Sequence, residues 1–432
     1  MSADLLPDVF EAQRELAFRA GMIQPKNSST SLRGMWRHLL PSTRAVPMAG
    51  PGIVGSRSAP AANTRYVREL DGIRALAVAL VVAAHYGLNS IVPGGFGVTV
   101  FFFLSGYLIT TLFFAEYRET AGVSVPQFYM RRWLRLTPPL IIAVVLGVVF
   151  APIVRNAVGG TLPPTGATLA ALFYYTNYYD LYHHLAPSVI IPFGICWSLA
   201  VEEHFYLVWP WIVRRGIGNP QRLCLFVIGV LLAVLIWRCV ARWVLAMPTD
   251  YTYLATDARI DSILYGALLR TLFETSWSTT AVTLLRSPIT RILAVLALLS
   301  TFIIRNDNFR ETLRYSIQGL ALMPFFTAVL VEQPTNLVRR MLANPPIVLV
   351  GRLSYSIYLY HLLAWAPGQV YFRSQHRLGW AISGLLLTWL ISYMVFIFVE
   401  RPIAGLRHHL RATARSVADV PARAVVVEVR SS

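Results

Sequence analysis

The chain has 432 residues, of which 56% are hydrophobic and 14% are charged, and its formal net charge is +17. Soluble globular proteins hold roughly 45–50% apolar and about 25% charged residues, so this balance excludes an ordinary soluble enzyme and a disordered protein. The arginines lie in the tails and in short loops between apolar stretches, a distribution typical of membrane proteins. We therefore predict a multi-pass, all-α membrane protein that binds no nucleic acid.

Ten apolar stretches of about membrane-spanning length follow residue 65. They lie near residues 73–90, 96–115, 137–156, 192–213, 223–245, 259–273, 289–305, 314–332, 347–366 and 378–399. An eleventh stretch, 165–179, is short and carries Thr, Asn and several Tyr. We interpret it as a re-entrant or interfacial segment.

The distribution of arginine predicts the orientation of these spans. With the N-terminus inside, the even-numbered loops hold twelve arginines and the odd-numbered loops, flanks included, hold seven. Cytosolic loops carry the excess of basic residues, so ten spans with both termini cytosolic is the preferred topology. We expect residues 1–65 to form a flexible cytosolic tail, 66–402 the membrane domain and 403–432 a basic cytosolic tail.

The first span, LDGIRALAVALVVAAHYG, contains two ionisable residues, Arg74 and His85. Eleven residues are nearly three whole helical turns, so both side chains project from one face, roughly 16 Å apart along the axis. A snorkelling arginine and a packing histidine would explain them. A histidine that takes a proton near neutral pH is also a good general base.

Small residues mark the second span, GGFGVTVFFFLSGYLIT. These are Gly94, Gly95, Gly97, Ser105 and Gly106. They allow close packing of helices, or they leave room for a thin ligand chain. Ser105 also offers a hydroxyl group, which is a candidate nucleophile where a base lies next to it.

Arg131, Arg132 and Arg135 precede the third span. They are explained by the excess of basic residues in cytosolic loops, or they form a site for an anionic cofactor, because guanidinium groups match phosphate oxygens.

The fourth span, CWSLAVEEHFYLVWP, places Glu202 and Glu203 about ten residues into the membrane. A structural interpretation pairs them with Arg238, or with Arg259 and Asp261 at the start of the sixth span. The functional interpretation is a carboxylate that orients and charges a histidine.

The ninth span, LSYSIYLYHLLAW, adds Tyr358 and His361. Interfacial aromatic residues explain this pattern, and a supporting role in a site is the alternative. No histidine and cysteine cluster at metal-ligand spacing occurs in the sequence, so we expect no metal.

Six segments, taken in order, resemble the acyltransferase 3 family of integral-membrane O-acyltransferases over about residues 66–402. They are LDGIRALAVALVVAAHYG, VTVFFFLSGYLIT, FYMRRWLRL, WSLAVEEHFYLVWP, RIDSILYGALL and YSIYLYHLL. The resemblance implies transfer of an acyl group, commonly acetyl from acetyl-CoA, to a hydroxyl group of a cell-envelope sugar or a glycosylated small molecule. Acetyl-CoA would be a co-substrate, with no permanently bound cofactor.

The resemblance also assigns roles to residues. It places the essential arginine and histidine at Arg74 and His85, the cytosolic arginine cluster at Arg131, Arg132 and Arg135, and the carboxylate of the fourth span at Glu203 with Glu202 beside it. Ser105, Asp261, Tyr358 and His361 are candidates for supporting or substrate-binding roles. His204 stands where the family usually has Gln, which leaves open which ionisable group partners His85.

We therefore expect an O-acyltransferase of the bacterial inner membrane, with His85 as general base. Two alternatives belong to other classes. A small-molecule transporter would predict inverted repeats and broken helices at the midplane, and no repeat is visible in the sequence. A non-catalytic acyl or glycan carrier would serve a partner enzyme.

Overall fold

The computed structural model describes residues 66–158, 161–183, 193–331, 337–372 and 377–405. The expectations for the tail 1–65 and for most of the tail 403–432 lie outside these residues. The described backbone is helical apart from short connections and contains no strand. The predicted all-α class is confirmed.

Seventeen α-helices occur in the described residues. They are α1 (Arg68–Ala83), α2 (Gly94–Thr120), α3 (Val125–Val158), α4 (Thr165–Leu172), α5 (Thr176–His183), α6 (Cys196–Gly216), α7 (Pro220–Cys239), α8 (Thr249–Leu254), α9 (Thr256–Leu272), α10 (Ser278–Arg286), α11 (Pro288–Ile303), α12 (Asp307–Thr312), α13 (Arg314–Val331), α14 (Leu337–Leu342), α15 (Pro345–Arg352), α16 (Ser354–Phe372) and α17 (Arg377–Val395). π-Helical turns continue α1, α7 and α17, at Ala84–Leu88, Val240–Val244 and Phe396–Glu400.

Six helical segments of the described chain are long and apolar enough to cross a membrane, or up to eight if two bent helix pairs each count as one span. The bent pairs are α10 with α11, at 66°, and α15 with α16, at 70°. Two further predicted spans coincide with α6, which carries two glutamates, and with α9, which has 17 residues. The count of ten stays a prediction.

The segment 165–179 does not form one continuous helix. It contains all of α4 and the first half of α5, each eight residues long, and Tyr174 between them has a φ of 57°. A left-handed backbone at a non-glycine residue interrupts a helix. This geometry agrees with an interfacial or re-entrant segment.

Close helix crossings at glycine hold α2 against α9. A Cβ atom on Gly106 would lie 1.9 Å from the carbonyl oxygen of Ile263, and one on Gly266 would lie 1.9 Å from that of Phe103. The absence of side chains lets the two backbones touch, which is the typical use of small residues in membrane helix packing. The crossing fixes α2, which carries part of the candidate site.

Candidate active site

The end of α1 brings together two histidines that are far apart in the sequence. His85 lies in the π-helical turn Ala84–Leu88, and His361 of α16 is fully buried. Nε2 of His361 lies 3.2 Å from Nδ1 of His85. Nδ1 of His85 also lies 2.9 Å from the carbonyl oxygen of Val81, and Nδ1 of His361 lies 2.7 Å from that of Tyr358.

These partners determine which ring nitrogens carry protons. A carbonyl oxygen only accepts hydrogen bonds, so Nδ1 of each histidine carries the proton that it donates. In a neutral His361 ring, Nε2 then accepts from Nδ1–H of His85, which is shared with the carbonyl of Val81. Nε2 of His85 is therefore left as the nitrogen that can accept a proton.

The local backbone at His85 departs from an α-helix. Within the π-helical turn, Gly87 has a φ of 97°, in the region that favours glycine. Single π turns within α-helices occur frequently at functional sites. Here the turn ends α1 at the wall of a cavity.

That cavity, called here the His85 cavity, has a volume of about 960 Å³. Its wall includes His85, the aromatic side chains Trp197, Tyr253 and Tyr315, and the amide side chains of Asn89 and Gln318. Small-ligand sites in proteins commonly measure 300–1,000 Å³ and combine apolar walls with a few polar groups. The cavity suits a ligand with apolar faces and hydroxyl groups at its edges.

A second cavity, called here the arginine cavity, has a volume of about 70 Å³. Arg74, Arg132 and Arg135 line it. Val98 and Tyr358 belong to the walls of both cavities, so these two side chains lie between them. Arg74 and His85 therefore border two different cavities that meet at a common wall.

Arg132 links the two glutamates of α6. Its Nη2 donates to Glu202 Oε2 at 3.4 Å, and its Nε donates to Glu203 Oε1 at 3.3 Å. The guanidinium also lies 3.5 Å from the centre of the Tyr206 ring, a cation–π contact. Glu203 thus forms an ion pair with Arg132, whereas His85 forms a hydrogen bond with His361.

Ser105 is held by the same group. Its hydroxyl donates to Glu202 Oε1 at 2.8 Å, and the hydroxyl of Tyr206 donates to Glu202 Oε2 at 3.3 Å. With Arg132 also donating, Glu202 accepts three hydrogen bonds. The hydroxyl of Ser105 is thus part of a hydrogen-bonded group that links α2, α3 and α6.

Asp261 belongs to a separate buried pair. Arg238 Nη1 lies 2.7 Å from Asp261 Oδ2, and both side chains are fully buried. Ser316 also donates to Asp261 at 3.3 Å. The structural pairing of Glu202 and Glu203 with these residues is wrong, because α6 turns its glutamates towards Arg132 of α3, whereas Arg238 of α7 satisfies the carboxylate on α9.

Comparison with known proteins adds the family. The profile of the acyltransferase 3 family, described as an acyltransferase domain, matches residues 67–399. The chain belongs to this family. Peptidoglycan O-acetyltransferase OatA of Listeria monocytogenes is 28% identical over 79% of this chain and 56% of its own length. O-acetyltransferase OatA of Staphylococcus aureus is 27% identical over 79% of this chain and 58% of its own length.

The chain thus spans a little over half the length of the curated relatives that it matches. No solved structure matches it. The comparisons thus show membership of the family, and the described helices include segments that could span a membrane.

Several of the predicted residues line neither cavity: Arg131, Glu203, His204, Asp261 and His361. Arg131 pairs with Glu116 at 3.1 Å. Nδ1 of His204 lies 2.7 Å from the Thr256 hydroxyl, and the ring stacks on Tyr178. His204 is therefore a contact between α6, α5 and α9 rather than a partner of His85.

The direct contact between His85 and His361 was not predicted. The two residues are 276 positions apart, and no local pattern reports on such a pair. The available indication was that both are ionisable groups in apolar spans, where such groups tend to find each other. Gln318 and the arginines near the start of α13 were not expected in the site either, although they line the His85 cavity.

Proposed function

We propose that this protein is a membrane O-acyltransferase that moves an acetyl group from cytosolic acetyl-CoA to a hydroxyl group of a carbohydrate acceptor. The observation that carries the proposal is the setting of His85. Its Nδ1–H is held by the carbonyl of Val81 and by His361, and its ring lines a cavity of about 960 Å³. A histidine with one nitrogen fixed and the other available is suited to general base catalysis.

The reaction needs no covalent enzyme intermediate. Nε2 of His85 takes the proton of the acceptor hydroxyl while the oxygen attacks the thioester carbonyl. The carbon–sulfur bond then breaks, and the departing thiolate takes the proton from the imidazolium. His361 accepts the Nδ1–H hydrogen bond throughout and keeps the ring oriented, as the third group does in other nucleophile and base arrangements.

The donor would approach through the arginine cavity. CoA is a polyanion, and guanidinium groups bind phosphate oxygens well, so we assign Arg74, Arg132 and Arg135, which line the arginine cavity, to the cytosolic side of the donor path. Arg132 is already linked to two glutamates, which suits it to shaping this path. Val98 and Tyr358 belong to both walls, so the acyl end of the donor would meet the acceptor hydroxyl beside these two side chains.

The acceptor would occupy the His85 cavity. Its aromatic and amide side chains suit a sugar, and the relatives are named O-acetyltransferases, one of them for peptidoglycan. We therefore propose a glycan of the bacterial cell envelope as the acceptor class and the bacterial cytoplasmic membrane as the location.

The ends of the helices support the ten-span topology with both termini cytosolic. The His85 cavity is lined by the end of α1, the starts of α2, α6 and α13, and the end of α11. In the ten-span alternation these ends lie on the non-cytosolic side, provided that α4 and α5 do not cross. The starts of α1, α3 and α16 border the arginine cavity, which the same alternation places on the cytosolic side.

The test uses full-length protein in lipid nanodiscs, with acetyl-CoA carrying a labelled acetyl group and cell-wall glycan fragments. We expect labelled, O-acetylated product by mass spectrometry. His85→Gln should lower turnover by about 10²–10⁴-fold, the usual contribution of a general base. Turnover of the unaltered protein should rise with pH as the base loses its proton, and this dependence should disappear in the variant.

The matched control is His204→Gln, because His204 is another histidine of a predicted span, but it lines neither cavity and contacts Thr256 and Tyr178. It should keep near-normal turnover. A His85→Gln protein with at least half of the normal turnover would refute the role of His85 as general base. Ligand binding without any acetylated product would favour a carrier, and movement of the glycan across the membrane without acetylation would favour a transporter.

A further inference from the structure

Three arginines border the His85 cavity near the start of α13. They are Arg305, Arg310 and Arg314. The loop that carries them is an odd-numbered one, which the proposed topology places on the non-cytosolic side. Basic residues are depleted in such loops, so the general charge bias of membrane proteins does not explain them.

The guanidinium groups of this set are incompletely matched by acids. Within the described part of the chain, Arg305 makes no ion pair or hydrogen bond. Arg314 donates to the hydroxyl of Tyr315 at 2.7 Å and lies 4.0 Å from Glu311, but its buried Nε has no hydrogen-bond partner. Arg310 lies 3.8 Å from the exposed Asp307.

The acidic residues of the cavity wall do not cancel this charge. They are Asp250 and Glu311. Glu311 is buried and accepts a hydrogen bond from Thr252 in addition to facing Arg314. The cavity wall thus holds three arginines and two acidic residues, and one of the acids, Glu311, already accepts a hydrogen bond from Thr252.

A further buried cation lies one layer behind the same wall. Arg259 is fully buried, and its Nε and Nη1 have no hydrogen-bond partner among the described residues. Its guanidinium lies 3.6 Å from the centre of the Tyr315 ring and 5.8 Å from that of Tyr253, two rings that line the cavity. An unpaired charge in a low-dielectric interior raises the local positive potential.

We infer that the His85 cavity selects an acceptor that carries an anionic group, a carboxylate or a phosphate, which Arg305 and Arg314 bind. This inference rests on the proposed function, because it names the class of acceptor for that site. The anion would supply the missing partner of Arg305 and of the Arg314 Nε. The remaining sugar would lie along the aromatic wall, with a hydroxyl group towards His85.

The test measures binding without acetyl-CoA, from the tryptophan fluorescence of the full chain in nanodiscs. The probes are a glucuronic acid oligosaccharide, its neutral methyl ester and a phosphorylated oligosaccharide of the same length. We expect the acid to bind at least tenfold more tightly than its ester, and less so at high salt because screening weakens exposed charge pairs. If the phosphorylated probe binds more tightly than the acid, phosphate is the preferred anion.

Variants test the assigned residues. Arg305→Gln should weaken binding of the acidic probe about tenfold, the order expected for one charge-assisted hydrogen bond, and should leave binding of the ester unchanged. Since Arg305 has no partner in the described chain, its removal spares the fold. Arg155→Gln is the matched control, because Arg155 lies at the end of α3 and its recorded hydrogen bond is with Asn156.

Equal affinity for acid and ester, or equal losses in Arg305→Gln and Arg155→Gln, would overturn the inference. These outcomes are distinct from failure of the proposed function. Selective binding of the acid without acetyl transfer would support the anion site and contradict the proposed enzymatic function. Acetyl transfer to the acid and to its ester at equal rates would support the proposed enzymatic function and contradict the anion site.

Discussion

At the scale of single residues, the contact between His85 and His361 has a chemical consequence that neither residue would have alone. An isolated histidine in an apolar span exchanges its proton between two nitrogens. The carbonyls of Val81 and Tyr358 accept hydrogen bonds from the two rings, which places the proton of each neutral ring on Nδ1. His361 then acts as an acceptor, a role that a carboxylate fills in many other sites.

His361 is therefore predicted to be a positioning residue. His361→Ala should lower kcat by roughly 10²-fold, the loss that a small misplacement of a catalytic group produces, with little change in KM for either substrate. His361→Gln should recover part of the loss, because its amide oxygen can accept from Nδ1–H of His85. Steady-state kinetics of both variants gives the measurement.

The Gln and Ala variants of His361 distinguish a positioning role from a purely structural one. If His361 only filled space, His361→Gln and His361→Ala would differ in thermal stability but lower kcat equally. Recovery of kcat by Gln, at matched stability, is the outcome that requires a hydrogen-bond acceptor next to His85. A rise in KM with unchanged kcat would contradict the positioning role.

At the scale of helices, the small residues of α2 lie in two places, at the crossing with α9 and beside the His85 cavity. Gly106 lies in the crossing with α9, where any side chain would meet the backbone at Ile263. Gly94 and Gly95, at the other end of α2, line the His85 cavity. A Cβ on Gly94 would also lie 2.5 Å from that of Ala84. Close packing thus explains Gly94 and Gly106, whereas room for a thin ligand chain stays a prediction.

Gly106→Ala is predicted to destabilise the protein because the added Cβ would lie 1.9 Å from the carbonyl oxygen of Ile263. Overpacking of this kind costs about 1–3 kcal/mol, and the helices must separate. Thermal unfolding in detergent, followed by loss of the monodisperse peak in size-exclusion chromatography, measures the change.

Gly229→Ala is the control, since a Cβ there meets nothing within 4 Å. It should leave the unfolding temperature unchanged or raise it slightly, because Ala is the better helix former. A Gly106→Ala protein as stable as Gly229→Ala would mean that α2 and α9 have room to move apart without cost.

At the scale of the whole molecule, the proposed function makes the arginine cavity the donor side and the His85 cavity the acceptor side. Their common wall is formed by Val98 and Tyr358. Tyr358 is held by Ser198 and by the carbonyl of Ile195, at 2.5 Å and 3.0 Å. This arrangement requires that α4 and α5 stay on one side of the membrane.

Cysteine labelling tests that requirement. Tyr182 is 77% exposed and lies in α5, and Gly218 is exposed between α6 and α7. A membrane-impermeant thiol reagent should label Tyr182→Cys in intact cells and Gly218→Cys only after permeabilisation. The unaltered chain, with its three free cysteines, supplies the background.

Labelling of Tyr182→Cys only after permeabilisation would show that the segment 165–179 crosses the membrane. The ten-span topology would then be wrong, and α6 would run in the opposite direction. The grouping of helix ends around each cavity would need another explanation.

Composition, apolar length and arginine distribution were enough to predict an all-α membrane protein, because these properties depend on how each segment interacts with lipid and water. The ordered motifs were enough to predict the family, and its profile covers residues 67–399. Arg74 and His85 were found because ionisable groups are rare in apolar spans. None of these properties depends on which helix packs against which.

The tertiary structure decided the pairings. It joined His85 to His361, Arg132 to Glu202 and Glu203, and Arg238 to Asp261. Each pair links different helices, and the partner of a buried polar group depends on helix order and rotation, which hydropathy leaves open. The sequence by itself determined which residues are chemically unusual, whereas packing alone determined which of them meet.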